Sequence, residues 1–257
     1  MQPFVLRFKL AASGQIDNLG DAPEHPLHPP IPGSTRCQAT VHVVLELPDV
    51  NVDYQIFSGF WLQAMFGGGI SSNHQVGTLA ATYVRLVESA IREYQMGVTG
   101  TKEFWSTHSG IALGAIQQAT SHFESCISDM HRSIKCFTRL RRHRHLGALS
   151  VINGRRPIFI RPSVHDKLRE ARDAIHHMEE MVMKGKVAQG QSTAIRADGP
   201  EVVHPSEEGQ TIKTIDRLTI GSSEILLADV ARWLAEMAQF CELMIKDGQR
   251  QEGTPVA

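Results

Sequence analysis

Apolar side chains recur every three or four positions along two long stretches of this 257-residue chain. Leu79, Tyr83, Leu86, Val87, Ala90, Ile91 and Tyr94 make the first stripe. Ile111, Leu113, Ile116, Ala119, Phe123, Ile127, Met130, Ile134, Phe137 and Leu140 make the second. That period puts each set on one face of an α-helix. It predicts helices from about Val76 to Met96–Gly97 and from about Ser109 to Arg144. Faces this long must be covered by other elements. A third helix is expected from Ser163, read as an N-cap after Pro162, to Lys184, with Gly185 as its stop. A fourth is expected after Gly221-Ser222-Ser223, with Ile225, Leu226, Leu227, Val230, Trp233, Leu234, Met237, Phe240, Cys241, Met244 and Ile245 on it and Gly248 ending it. Four such helices imply a mainly α chain, an up-down four-helix bundle.

The remainder has β character. Phe4–Leu10 and Ala39–Leu47 read as strands around a loop holding Pro23, Pro26, Pro29, Pro30 and Pro32, an extended spacer. Val52–Phe57 reads as a further strand. Gly67-Gly68-Gly69 follows no clear strand and precedes no Lys-Ser/Thr, so it is a hinge and not a phosphate loop. Residues 186–220 form a β excursion, with a strand at Thr211–Ile220. The expected organisation is a β-rich N-terminal extension over 1–60, a helical bundle over 61–247 and a disordered tail over 248–257.

Cys37, Cys126, Cys136 and Cys241 form no C-x-x-C pair and fit no zinc spacing. They read as reduced thiols, so a cytoplasmic protein is expected. No apolar run approaches the roughly 20 residues of a membrane span, so no membrane partner is expected. There is no H-E-x-x-H, and neither metal nor cofactor is expected.

The net charge of −1 conceals a polarised chain. From Met130 to His165 there is no carboxylate, yet nine of the 26 Lys and Arg residues lie there, including Arg139, Arg141, Arg142 and Arg144. A helix C-terminus favours one or two cations through its dipole, not this many. Clustered guanidinium forks suit phosphate oxygens. The segment reads either as an RNA-contacting face or as a solvated or dimer-pairing one.

On the third helix, His165, Arg169, Arg172 and His176 fall on one polar face, with Asp173 and His177 beside them. His177 is expected to project toward Asp173. Imidazole exchanges protons near neutral pH, and guanidinium stabilises charge on phosphorane oxygens, so this strip can serve phosphodiester chemistry without a metal. The same residues can equally form an ion-paired solvent face.

Arg172-Asp173-Ala174-Ile175-His176-His177 resembles the R-x4-6-H motif of HEPN domains, with Asp173 in the place where the stricter motif has Asn, Asp or His. Arg139 to His145 and Arg169 to His176 fit its looser form. The resemblance implies a HEPN-type bundle over about 75–247. It implies a metal-independent endoribonuclease whose two copies face one cleft, acting in toxin–antitoxin systems, phage defence or RNA processing. RNA, a second copy and an antitoxin or other protein are the implied partners. Arg172 would position the scissile phosphate, His177 would move a proton as the ribose 2′-hydroxyl attacks, and Asp173 would orient the pair. A second histidine, His176, leaves two candidates for the catalytic one. Arg139, Arg141, Arg142, Arg144 and Arg169 are the candidate RNA contacts. Some members of the family are inactive binding modules. The first 60 residues and the 186–220 excursion lie outside a minimal domain of this kind.

Overall fold

The computed structural model describes residues 7–11, 40–66, 71–106, 113–144, 146–185, 194–207, 210–220 and 223–252. In chain order these form β1 (Arg7–Ala11), β2 (Thr40–Leu45), α1 (Gln55–Phe66), α2 (His74–Ser106) and α3 (Leu113–Arg141), then 3-10 turns at Gly147–Gly154 and Ile158–Ile160. There follow α4 (Pro162–His176), α5 (Met178–Met183), β3 (Ile195–Asp198), β4 (Glu201–Val203), β5 (Gln210–Ile215), β6 (Arg217–Ile220), β7 (Ser223–Leu226) and α6 (Leu227–Glu252). Helix makes up 68% of the described residues, so the fold class is mainly α with small sheets added. The proline loop, Gly67–Gly69 and residues 253–257 lie outside the described residues, as do Cys37 and His145; residues 248–252 of the expected tail belong to α6, so Gly248 does not end that helix.

The two long stripes pack against each other as an antiparallel pair. Tyr94 meets Phe123 edge-on at 6.2 Å between ring centroids, and Tyr83 meets Phe137 at 5.1 Å. Gly97 does not end α2. A Cβ there would stand 2.8 Å from the Phe123 ring, and one on Gly100 would stand 2.9 Å from the Ala115 carbonyl oxygen. The two glycines let the helices approach, and α2 continues to Ser106 because of that contact. At the other end of the pair, Phe137, Phe159 and Phe240 meet edge to face at 5.0–5.7 Å, joining α3, the second 3-10 turn and α6. The Glu236 carboxylate of α6 accepts the backbone N–H groups of Ile158 (2.8 Å) and Phe159 (3.1 Å) and so fixes that turn.

Two further expected boundaries differ. Gln55 begins a helix where a strand was expected at Val52–Phe57. Asp53 Oδ1 accepts the Gln55 N–H at 2.9 Å, and Phe57 and Phe60 bury one helical face. Ser223 does not cap the last helix: Ser223–Leu226 pairs with β6, and α6 begins at Leu227, whose N–H bonds the Asp216 carbonyl at 2.8 Å.

The sheets tie the two β-rich segments together. In the first, ordered β1-β2-β5-β4, β2 runs parallel to β5, Thr40 opposite Gln210 and Leu45 opposite Ile215, while β1 and β4 pair antiparallel on either side. The second, β3-β6-β7, is antiparallel. Asp216 separates β5 from β6, so one stretch of chain serves both sheets. Val43, Leu45, Phe57 and Phe60 share a single core with α2, α3 and α6. Among the described residues no helix is long and apolar enough to cross a membrane. Cys126, Cys136 and Cys241 are unpaired thiols, and burial pushes all three above the ordinary thiol range.

Candidate functional site

α4 forms because Pro162 occupies its first turn and because Val164, Leu168 and Ala171 bury one face, with Ile175 partly covered. Its N-cap is Arg161 and not Ser163, with extended backbone (φ −62°, ψ 143°) that a residue before proline prefers. The expected single helix to Lys184 is broken at His177 (φ −107°, ψ 16°), inside the motif. Val182 and Met183 on α5 are exposed, so among the described residues nothing packs on them to hold the two pieces in line. Gly185 does end the segment, in left-handed backbone (φ 63°).

Arg172 Nη1 donates to Asp173 Oδ1 at 2.8 Å, and this bond holds the Asp173 carboxyl below its ordinary range. Both side chains are half-exposed. The backbone N–H of His177 bonds the Asp173 carbonyl at 2.9 Å. Its ring, expected to project toward Asp173, does not pair with that carboxylate. The break turns Nδ1 to Glu180 Oε1, 3.4 Å away. Glu180 also accepts from Lys184 at 3.1 Å, and these partners lower its pKa. His176 is exposed at the helix end. The motif residues are therefore adjacent, with the guanidinium engaged by carboxylate and both imidazoles open to solvent.

The basic run sits at the other end of α4. Arg139, Arg142 and Arg144 are exposed at the C-terminus of α3, while Arg141 lies with its guanidinium carbon 6.0 Å from the Phe137 ring centroid. Arg141, Arg156 and Arg161, with Pro157 and Ile160, line an open depression of roughly 480 Å³. From Arg161 to His177 the helical rise spans about 24 Å. Arg161, His165, Arg169, Arg172 and His176 bridge that distance at spacings of four, four, three and four, on one face. Arg169 is engaged by Asp166 at 3.2 Å. The flank of the motif toward α2 and α3 has the opposite character. There Glu93, Glu124 and Asp129 line a groove with Arg132 and Ile175, and burial raises the Glu124 pKa. A polyanion can follow α4 but not that groove.

Below the strip lies a residue the sequence did not single out. His131 on α3 is 1% exposed, and its Nε2 has no hydrogen-bond partner among the described residues. Its ring stacks obliquely on His165 at 5.6 Å. Burial first, then the positive charges of Lys135, His165 and Arg172, push its pKa down to about 4, with Asp173 opposing. The available signal was its place in an apolar stripe, four after Ile127 and three before Ile134.

No protein-family model, curated protein or solved structure matches the chain. The site must speak for itself.

Proposed function

We propose that the chain is a HEPN-like RNA-processing protein, a metal-independent endoribonuclease that acts as a homodimer. The observation that carries the reading is the polar strip of α4. It runs unbroken from the arginine-lined depression to a guanidinium, a carboxylate and two solvent-open imidazoles. RNA phosphates would track the strip from Arg161 through Arg169, and Arg172 would exchange Asp173 for the scissile phosphate. One imidazole of the His176/His177 pair would take the proton of the attacking 2′-hydroxyl. A protonated imidazole would return one to the departing 5′-oxygen, leaving a 2′,3′-cyclic phosphate and a free 5′-hydroxyl. Val182 and Met183, exposed just beyond His177, offer apolar area on which a second copy can close the open side of the site.

The test is incubation of the purified protein with a panel of RNAs in chelator, with end-group analysis of the products. Cyclic-phosphate ends that disappear in a His176→Ala/His177→Ala double variant support the reading. Cleavage unchanged in that variant, or a folded dimer that leaves every RNA intact, overturns it.

The separation of the depression from the motif favours one second reading, a non-catalytic module that holds a polyanion at Arg141, Arg156 and Arg161. It predicts salt-sensitive binding without turnover.

A further inference from the structure

The parallel pairing of β2 with β5 brings together three side chains that the α4 strip does not use. His42 stands on β2. His204 directly follows β4, and Glu207 lies in the turn leading to β5. Each offers one ligand atom, and the three atoms lie within 4.8 Å of one another. The turn is closed by its own backbone, His204 N–H to the Gln210 carbonyl at 2.8 Å and Gln210 N–H to the Glu207 carbonyl at 3.3 Å. Both of its candidate ligands are thereby held over the neighbouring strand.

Around the His42 ring nitrogen there are more acceptors than hydrogens. His42 Nε2 donates to Gln210 Oε1 at 2.5 Å and lies 3.7 Å from Glu207 Oε2. The His204 ring is 5.2 Å from that of His42, and its Nδ1 already accepts the Ser206 N–H at 3.3 Å. The Glu207 carboxylate and the Gln210 amide oxygen thus converge on the one ring N–H of His42, with the second imidazole beside them. That is an electron-rich centre, and one cation would satisfy all of it.

We infer that His42, His204 and Glu207 form a binding site for a divalent transition metal of the zinc type. Two imidazoles and one carboxylate are a ligand set zinc accepts, with a water or Gln210 Oε1 left for the fourth position. Bonds of about 2.0–2.2 Å to a tetrahedral ion place ligand atoms roughly 3.3 Å apart. Closure from the observed spread is a shift of about an ångström at each ligand, and Glu207, on an exposed turn, can supply most of it. The proton on His42 Nε2 must move to Nδ1, which frees the Nε2 lone pair for the metal and releases the Gln210 oxygen, and His204 must either release the Ser206 N–H to ligate through Nδ1 or shift its own proton to Nδ1 to ligate through Nε2. The ion would clamp the β4–β5 turn onto β2 and so fasten the N-terminal strand to the sheet that follows α5.

The experiment uses the full chain, freed of metal by chelator and titrated first with Co²⁺ and then with Zn²⁺. The expected result is one equivalent of Co²⁺ with visible bands of four-coordinate intensity. Zn²⁺ should bleach them, and the thermal midpoint should rise with Zn²⁺. His42→Ala and His204→Ala should each abolish the bands, and Glu207→Gln should weaken them while leaving the circular dichroism of the helices unchanged. A folded chain that takes up neither metal overturns the site. So does stoichiometric uptake that persists in the His42→Ala/His204→Ala double variant.

Discussion

The imidazole of His131 lies under that of His165, 5.6 Å between centroids and inclined by 44°, with Lys135, Arg172 and Asp173 as the other charged neighbours. A ring buried this way is neutral at pH 7, and protonating it costs folding free energy. Its pKa is about 4 in the folded chain against 6.5 in a free one. The unfolded chain therefore binds a proton first as pH falls. Stability contributed by the neutral ring is whole above pH 6.5 and is lost progressively between 6.5 and about 4. The slope over that window is at most about 1.4 kcal/mol per pH unit. His131→Leu removes both the titration and the unpaired Nε2. Urea denaturation across this range should show a flatter profile for the variant, with stability at pH 7 unchanged or raised by about 1 kcal/mol. Identical profiles for the two proteins would contradict the assignment.

The glycines of α2 separate into two kinds. At Gly100 an added methyl meets the Ala115 backbone oxygen, which cannot move without shifting α3, and at Gly97 it meets the buried Phe123 ring. Gly100→Ala should therefore cost about 1–3 kcal/mol in spite of the better helix former. Gly97→Ala should cost less, because a ring can tilt. Gly77, in the first turn of α2, is the control. The nearest atom to its added Cβ is the Ser71 carbonyl oxygen at 3.9 Å. Gly77→Ala should stabilise by about 0.4–1 kcal/mol. Thermal unfolding of the three variants should rank them in that order.

What the sequence disclosed and what it withheld have a common cause. Periodicity reports the partner face of an element, so the cores of α2, α3 and α6 were legible from Tyr83, Phe123, Phe137 and Phe240. It does not report where a stripe loses its partner, and that is why the break at His177 was missed. Nor does it distinguish a stop from a contact: Gly97 reads as a terminator, and only Phe123 opposite it shows otherwise. Strand pairing is non-local. Nothing in residues 40–45 or 210–215 taken separately says that they lie side by side, so the convergence of His42 with His204 and Glu207 was invisible. The motif residues themselves were legible because they are consecutive in the chain, Arg172 to His177.

Glu236 bridges α6 and the loop before α4. Both of its oxygens lie within 2.9 Å of the Ile158 N–H, and one also accepts Phe159. Glu236→Ala leaves two part-buried donors unmet and should cost about 1–3 kcal/mol. Glu236→Gln keeps one oxygen acceptor and should recover part of that loss. Chemical denaturation distinguishes the two, and equal losses would assign the effect to packing instead of to the bonds.

The arginines at the head of α4 offer the sharpest division between holding RNA and cutting it. If Arg141, Arg156 and Arg161 each neutralise one phosphate, their joint replacement by Ala removes three counterion-releasing contacts. For a single strand each contact contributes roughly 0.7 to the dependence of log K on log salt, so the slope should fall by about 2. Binding should weaken by a similar factor for every sequence tested, because phosphate contacts carry no base information. The His176→Ala/His177→Ala variant should bind with the wild-type slope, since neither ring is needed to hold the strand in the depression. Fluorescence anisotropy of a labelled RNA against salt measures both. A triple arginine variant with an unaltered slope would move the RNA path off the α4 strip.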